Sequence, residues 1–186
     1  MSASPVFWIA AAVLLFWAVG AYNRLIRLRA AALLAFAGVD APLRAQAELV
    51  QSCLPPSAAP ASAQDDDLLD DMASLWSGLG AAASQFAASL AAAKARPLDP
   101  DAIAALNAAL GVLHMAWQRM QQDDLHDLAG AALPESLQNQ WQQIDTQQKA
   151  AAVLFNEAVE SYNSAISQFP ALLLAWLFGF GPARVL

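Results

Sequence analysis

Two patterns of apolar positions follow one another along the chain. From Val6 to Ala21 (VFWIAAAVLLFWAVGA) sixteen consecutive residues carry no charge, with Trp8 and Trp17 towards the two ends, where interfacial aromatics belong in a membrane helix. After that run the apolar positions step by three and four: Leu25, Leu28, Ala32, Phe36, Val39, Leu43, Ala47 and Val50. That rhythm marks an amphipathic helix packed in a bundle, and the anchor is expected to run on into it. Pro42 interrupts the stripe and should kink the helix or start a new one, since proline removes a backbone donor and crowds the preceding turn.

Three more helices are expected. Residues 52–66 (SCLPPSAAPASAQDD) lack periodicity and read as a loop. Asp65, Asp66 and Asp67 then cap a helix whose stripe is Leu68, Met72, Leu75, Leu79, Ala83, Phe86, Leu90 and Ala93, and which runs to about Arg96 before Pro97 stops it. Asp99-Pro100-Asp101 opens the third helix, with Ile103, Leu106, Leu110, Leu113, Trp117 and Met120 on its apolar face. After Gly130 and Pro134 the fourth carries Leu137, Trp141, Ile144, Gln148, Ala151, Phe155, Ala158, Tyr162, Ile166 and Phe169, ending at Pro170. No strand signal and no repeat period occurs. Comparable lengths of roughly 42 to 52 Å at 1.5 Å per residue predict an all-α fold. It is an antiparallel four-helix bundle over residues 23–170, preceded by a transmembrane helix continuous with helix one.

The anchor, residues 6–22, covers only ~24 Å of a ~30 Å hydrocarbon core, so Tyr22 and a snorkelling Arg24 must help. Arg24, Arg27 and Arg29 follow it at once, with no acid before Asp40. The positive-inside rule then leaves residues 1–5 outside the membrane as a short N-terminus and the bundle in the cytoplasm. Ala18-Val19-Gly20 offers a weak signal-cleavage site, which keeps a second reading open: a signal-cleaved or periplasm-facing bundle with an envelope-associated binding role. The antiparallel order returns the apolar tail, residues 171–186, to the membrane end. Ten apolar residues cannot cross, so the tail is expected to cap the bundle, lie in the lipid interface or meet a neighbouring subunit.

Composition sharpens this picture. Hydrophobic residues make up 58% of the 186-residue chain and charged ones only 13%, a poor surface for a lone soluble monomer, although about a quarter of the chain is alanine, which favours helix and adds little core volume. Nine basic against sixteen acidic residues, a net charge of −7, exclude nucleic acid as the main ligand. Cys53 is alone and forms no intrachain disulfide.

Catalytic patterns are absent. Asp123-Asp124-Leu125-His126-Asp127 gathers four potential ligands, but a helix scatters them, and only Asp123 and His126 stand three apart. Asp65 to Asp71 lacks the glycine and spaced ligands of a calcium loop. His114 lies beside the helix-three stripe with no zinc motif around it. Solvated acidic clusters and an edge histidine are the simpler readings, so no metal, no cofactor and no enzymatic activity is expected, with a metal-dependent enzyme the remotest alternative. Gln118, Gln121, Gln122, Gln138, Gln140, Gln142, Gln143, Gln147 and Gln148 form an uncharged polar surface that suits either a homo-oligomer contact or plain solvation.

Both ends of the chain resemble the LemA family of bacterial membrane-anchored helical bundles. Tyr22, Asn23, Leu25, Leu28, Arg29, Phe36 and Asp40 are similar to the segment that follows the family's anchor. Phe155-Asn156-Glu157-Ala158-Val159, Tyr162-Asn163, Ile166, Phe169-Pro170 and Leu177-Phe178-Gly179-Phe180 are similar to its C-terminal signature. Departures at Pro42 to Gln51, and at Ala152 and Val153 where the family carries arginine, mark a divergent member. The resemblance implies a protein of the bacterial inner membrane whose partners are the lipid bilayer and either further copies of itself or other membrane and envelope proteins, acting as a scaffold rather than an enzyme. The Tyr22-Asn23 and Tyr162-Asn163 pairs are expected near one bundle end, sharing a polar network that either binds a partner or lipid headgroup or closes the bundle internally.

Overall fold

A computed structural model describes residues 5–54, 67–122 and 134–186. Among these the only regular elements are five helices: α1 (Pro5–Cys53), α2 (Asp67–Ala95), α3 (Pro100–Gln122), α4 (Glu135–Ile166) and α5 (Ala171–Phe178). The stretches 55–66 and 123–133 lie outside the described residues, and with them most of the expected 52–66 loop, the acids Asp65 and Asp66, the Asp123–Asp127 cluster and Gly130. The stripe positions Leu68 and Met72, and the side chain of Gln122, also lie outside the described side chains.

Helix α1 runs unbroken through Pro42, which corrects the expected new start there. The reason lies in its packing. Val39, Leu43, Ala47 and Val50 are buried on both sides of the proline, in the same stripe as Leu25, Ala32 and Phe36. The contacts of that stripe outweigh the loss of one backbone hydrogen bond.

Helix α3 starts as its sequence predicts. The Asp99 Oδ1 accepts hydrogen bonds from the Asp101 and Ala102 amides at 3.0 and 3.4 Å, and Arg96 reaches back to Asp99 at 2.6 Å, so cap and ion pair join the two helices across a four-residue turn. Helix α4 ends at Ile166, three residues short of Phe169, the last position of its expected stripe. Phe169 is therefore off the helix and 65% exposed, and residues 171–178 form a helix of their own after the turn at Pro170.

The helices pack into a bundle. Helix α1 contacts α4 and α2, α2 contacts α3, and α5 bridges α1 and α4. Phe36 meets Phe155 edge-on at 5.5 Å and Trp17 meets Phe169 at 5.2 Å. Helices α3 and α4 are joined by large side chains: Trp117, fully buried, stacks on Trp141 with 4.4 Å between ring centres. The core is one contiguous cluster from Leu25 to Ala183, each of its larger aliphatic residues contributing about 1.5–3 kcal/mol on burial. The N-terminal end of α1 is its opposite: Phe7, Trp8, Ile9, Leu15 and Phe16 are exposed, and only 6% of the most apolar 18-residue window is covered by the rest of the protein.

Candidate functional site

The polar residues of the C-terminal signature converge on the chain's own last segment. Asn156 and Asn163, both half-buried on α4, each present an amide with one acceptor and one donor. Asn163 accepts from the Ala183 N–H at 2.9 Å and donates to the Ala183 carbonyl at 2.8 Å. Asn156 does the same to Leu186, at 2.8 and 2.9 Å. Tyr162 donates its hydroxyl proton to the Gly181 carbonyl at 3.0 Å, and Asn107 of α3 donates to Val185 at 3.2 Å. The two asparagines thus stand in for a neighbouring strand, supplying an isolated extended segment with the partners its peptide groups require.

Gly179 makes this return possible. It ends α5 with φ at +70°, the left-handed conformation that a side chain disfavours, and the Phe180 amide closes on the Ala175 carbonyl at 2.9 Å. The chain then turns Phe180 under α1. Tyr22 lies 5.1 Å from the Phe178 ring and 6.3 Å from Phe180, and the Arg29 guanidinium sits 5.8 Å from the Phe180 ring centre, within cation–π range. Burial pushes the Tyr162 phenol above its usual value, with Arg29 acting against the shift.

Tyr22, Arg29, Asn156, Tyr162, Asn163, Gly179 and Phe180 therefore gather around one segment, while Leu28 is half-buried against the hydrophobic core. The two tyrosines meet it differently, Tyr22 through ring contacts and Tyr162 through its hydroxyl. Asn23 is exposed and stands outside this set. Phe169 packs on Trp17 instead, and Pro170 precedes the first turn of α5. Asp40 lies elsewhere, pairing with Arg44 and, at 3.2 Å, with Lys94 of α2. A cleft of about 530 Å³ opens beside the segment, bordered by Arg29, Arg96, Tyr162 and Phe180.

A second polar cluster went unread in the sequence. Gln46, with no exposed surface, places its Nε2 3.3 Å from the His114 Nε2, and Asp145 stands 3.6 Å from the same nitrogen. His114 packs edge-on against Trp141, and Asp145 pairs with Lys149 at 2.7 Å. Burial lowers the His114 pKa; Asp145 works against that and Lys149 with it. Among the described residues the buried Gln46 Oε1, Trp117 Nε1 and Asp145 Oδ1 have no hydrogen-bond partner. The only signal for Gln46 is positional, since it neighbours Ala47 on the stripe. Gln148 is also buried. Among the described residues no group of three His, Cys, Asp or Glu side chains is arranged to hold a metal ion.

Fold and site together define an all-helical bundle closed at one end by its own C-terminal segment. The chain belongs to the LemA family, whose sequence model matches residues 35–186. That match takes in Asp40 and every C-terminal signature residue, and leaves Tyr22, Asn23, Leu28 and Arg29 before its start. Neither a curated protein nor a solved structure matches the chain.

Proposed function

We propose that this protein is a single-pass membrane protein of the LemA type, with residues 6–22 crossing a bacterial inner membrane and an antiparallel four-helix bundle in the cytoplasm. It acts without catalysis, as a scaffold that binds copies of itself or other membrane and envelope proteins. The observation that carries this reading is the uncovered N-terminal end of α1. A core helix of a water-soluble protein buries its apolar side chains, whereas Phe16 here is 79% exposed in a run that Arg24, Arg27 and Arg29 terminate.

Helix direction is supported by the ring pairs, which rise along α1 from Trp17 to Phe36 while falling from Phe169, just beyond the end of α4, to Phe155 within it. The absence of catalysis is supported by the fate of Asn156, Tyr162 and Asn163, whose polar atoms are taken up by the chain itself. Association with partners is supported by Met115 and Leu154, 62% and 63% exposed, on the helices that also expose the uncharged Gln118, Gln121 and Gln147.

Cysteine accessibility tests the reading. Cys53 is a poor reporter, being half-buried, bonded to the Leu49 carbonyl and raised in pKa by burial. A single cysteine in its place, Glu160→Cys with Cys53→Ser, is exposed. It should resist an impermeant maleimide in intact cells and react after permeabilisation, with the protein staying in the membrane through alkaline extraction. Labelling in intact cells overturns the orientation; a mature N-terminus near Ala21 or release by alkali overturns the anchor.

A further inference from the structure

Helix α5 is the one element with no polar side chain, reading ALLLAWLF. Ala171 and Ala175 are buried against the bundle, while Leu172, Leu173, Trp176 and Leu177 are 51%, 58%, 84% and 66% exposed. Four large apolar residues on eight positions of one uncovered face call for an occupant other than water.

Its position along α1 says which occupant. Trp17 touches Phe169, just before α5, and Tyr22 touches Phe178, its last residue. Arg24 is the first charge after the anchor. Measured back from Arg24 at 1.5 Å per residue, Tyr22 lies about 3 Å and Trp17 about 10 Å inside the apolar zone, so α5 occupies that same layer. Interfacial helices bury their apolar face ≈ 5–10 Å into the headgroup and acyl boundary. On the other side of this level stand exposed Arg24, Arg27 and Arg29, three cations where anionic phosphates lie.

We infer that the exposed face of α5 is inserted into the bilayer leaflet from which α1 emerges, as a second lipid contact beside the anchor, with Arg24, Arg27 and Arg29 facing anionic headgroups. The inference rests on the anchor reading above. Its consequence is a bundle held at two points, which fixes its rotation about the anchor axis as well as its distance from the membrane.

The test uses the full chain with Cys53→Ser, reconstituted in vesicles of phosphatidylcholine and phosphatidylglycerol, and a polarity-sensitive fluorophore on a single cysteine. Leu173→Cys reports α5, Leu14→Cys the anchor, and Glu160→Cys the aqueous side of the bundle. All three positions are exposed, so labelling leaves the core untouched. Lipids bearing a shallow nitroxide should quench the Leu173 probe several-fold more than the Glu160 probe, at every protein-to-lipid ratio. Equal quenching at 173 and 160, with the Leu14 probe lipid-exposed, overturns the α5 inference alone. A Leu14 probe in water overturns the anchor reading instead. Self-quenching at 173 that fades on dilution in lipid means a second copy covers the face, and also overturns the inference.

Discussion

Asn156 and Asn163 stand seven residues apart on α4 and grip Leu186 and Ala183, which stand three apart on the returning segment. Two helical turns advance about 10.5 Å, and three extended residues about 10 Å. The two periods coincide, so both amides reach a peptide unit without either chain bending.

Removing one grip should loosen the other. Asn163→Leu leaves the N–H and carbonyl of Ala183 unpaired beside a buried side chain and should cost about 1–3 kcal/mol. The double variant Asn156→Ala with Asn163→Ala should cost less than the sum of the single changes, because either one frees the shared segment. Denaturant unfolding of all three, with protease cleavage after Arg184 as a second readout, checks this; strictly additive losses would show that the asparagines act independently.

Gly179→Ala isolates the backbone. Nothing lies within 4 Å of a Cβ placed there, yet φ is +70°, so the loss of about 1 kcal/mol expected on thermal unfolding comes from conformation alone. Gly179→Asn should recover part of it, since asparagine tolerates this region better. An alanine variant as stable as the parent would mean that the turn can form another way.

Gln46→Met should leave stability unchanged or raise it. The amide oxygen is buried with no partner among the described residues, and exchange for an apolar side chain of similar length removes that desolvation cost while keeping volume, against loss of the long 3.3 Å contact to His114, whose ring is partly open to water. A fall in unfolding midpoint comparable to that of a core truncation would show that the amide makes an essential bond.

The neighbouring His114 sets a pH dependence. Its folded pKa lies below the ordinary 6.5, chiefly through burial, so the unfolded chain binds the proton more readily. The stabilisation from keeping this ring neutral is complete above pH 6.5 and declines as pH falls towards the folded pKa. His114→Gln should flatten that part of the stability–pH curve, and an NMR titration of the native ring should have its midpoint below 6.5. A midpoint above 6.5 would mean that Asp145 outweighs burial.

The helices were legible because their apolar residues recur at helical spacing: Leu25 to Val50 and Ile103 to Met120 name the buried faces of α1 and α3 almost residue by residue. Reading fails where a polar residue joins the stripe, as at Gln46, or where packing outweighs a local breaker, as at Pro42. The site was half visible. Asn156, Tyr162 and Asn163 stand out as polar residues on a core-facing helix, but their partners are backbone atoms of residues 181–186, and peptide groups carry no sequence signal. A clue did exist in Pro182, which has no amide to satisfy and sits between two residues that are held.

Helix α1 passes without a break from its exposed apolar end into the bundle. From Tyr22 to Cys53 its contour is about 46 Å of continuous helical rod. Seated in a bilayer, such a rod works as a lever: a 10° change in anchor tilt, well within the range membrane helices adopt, sweeps its far end sideways by about 8 Å. Changes in local bilayer thickness would thereby reach the distant end of the protein as displacement, magnified rather than absorbed.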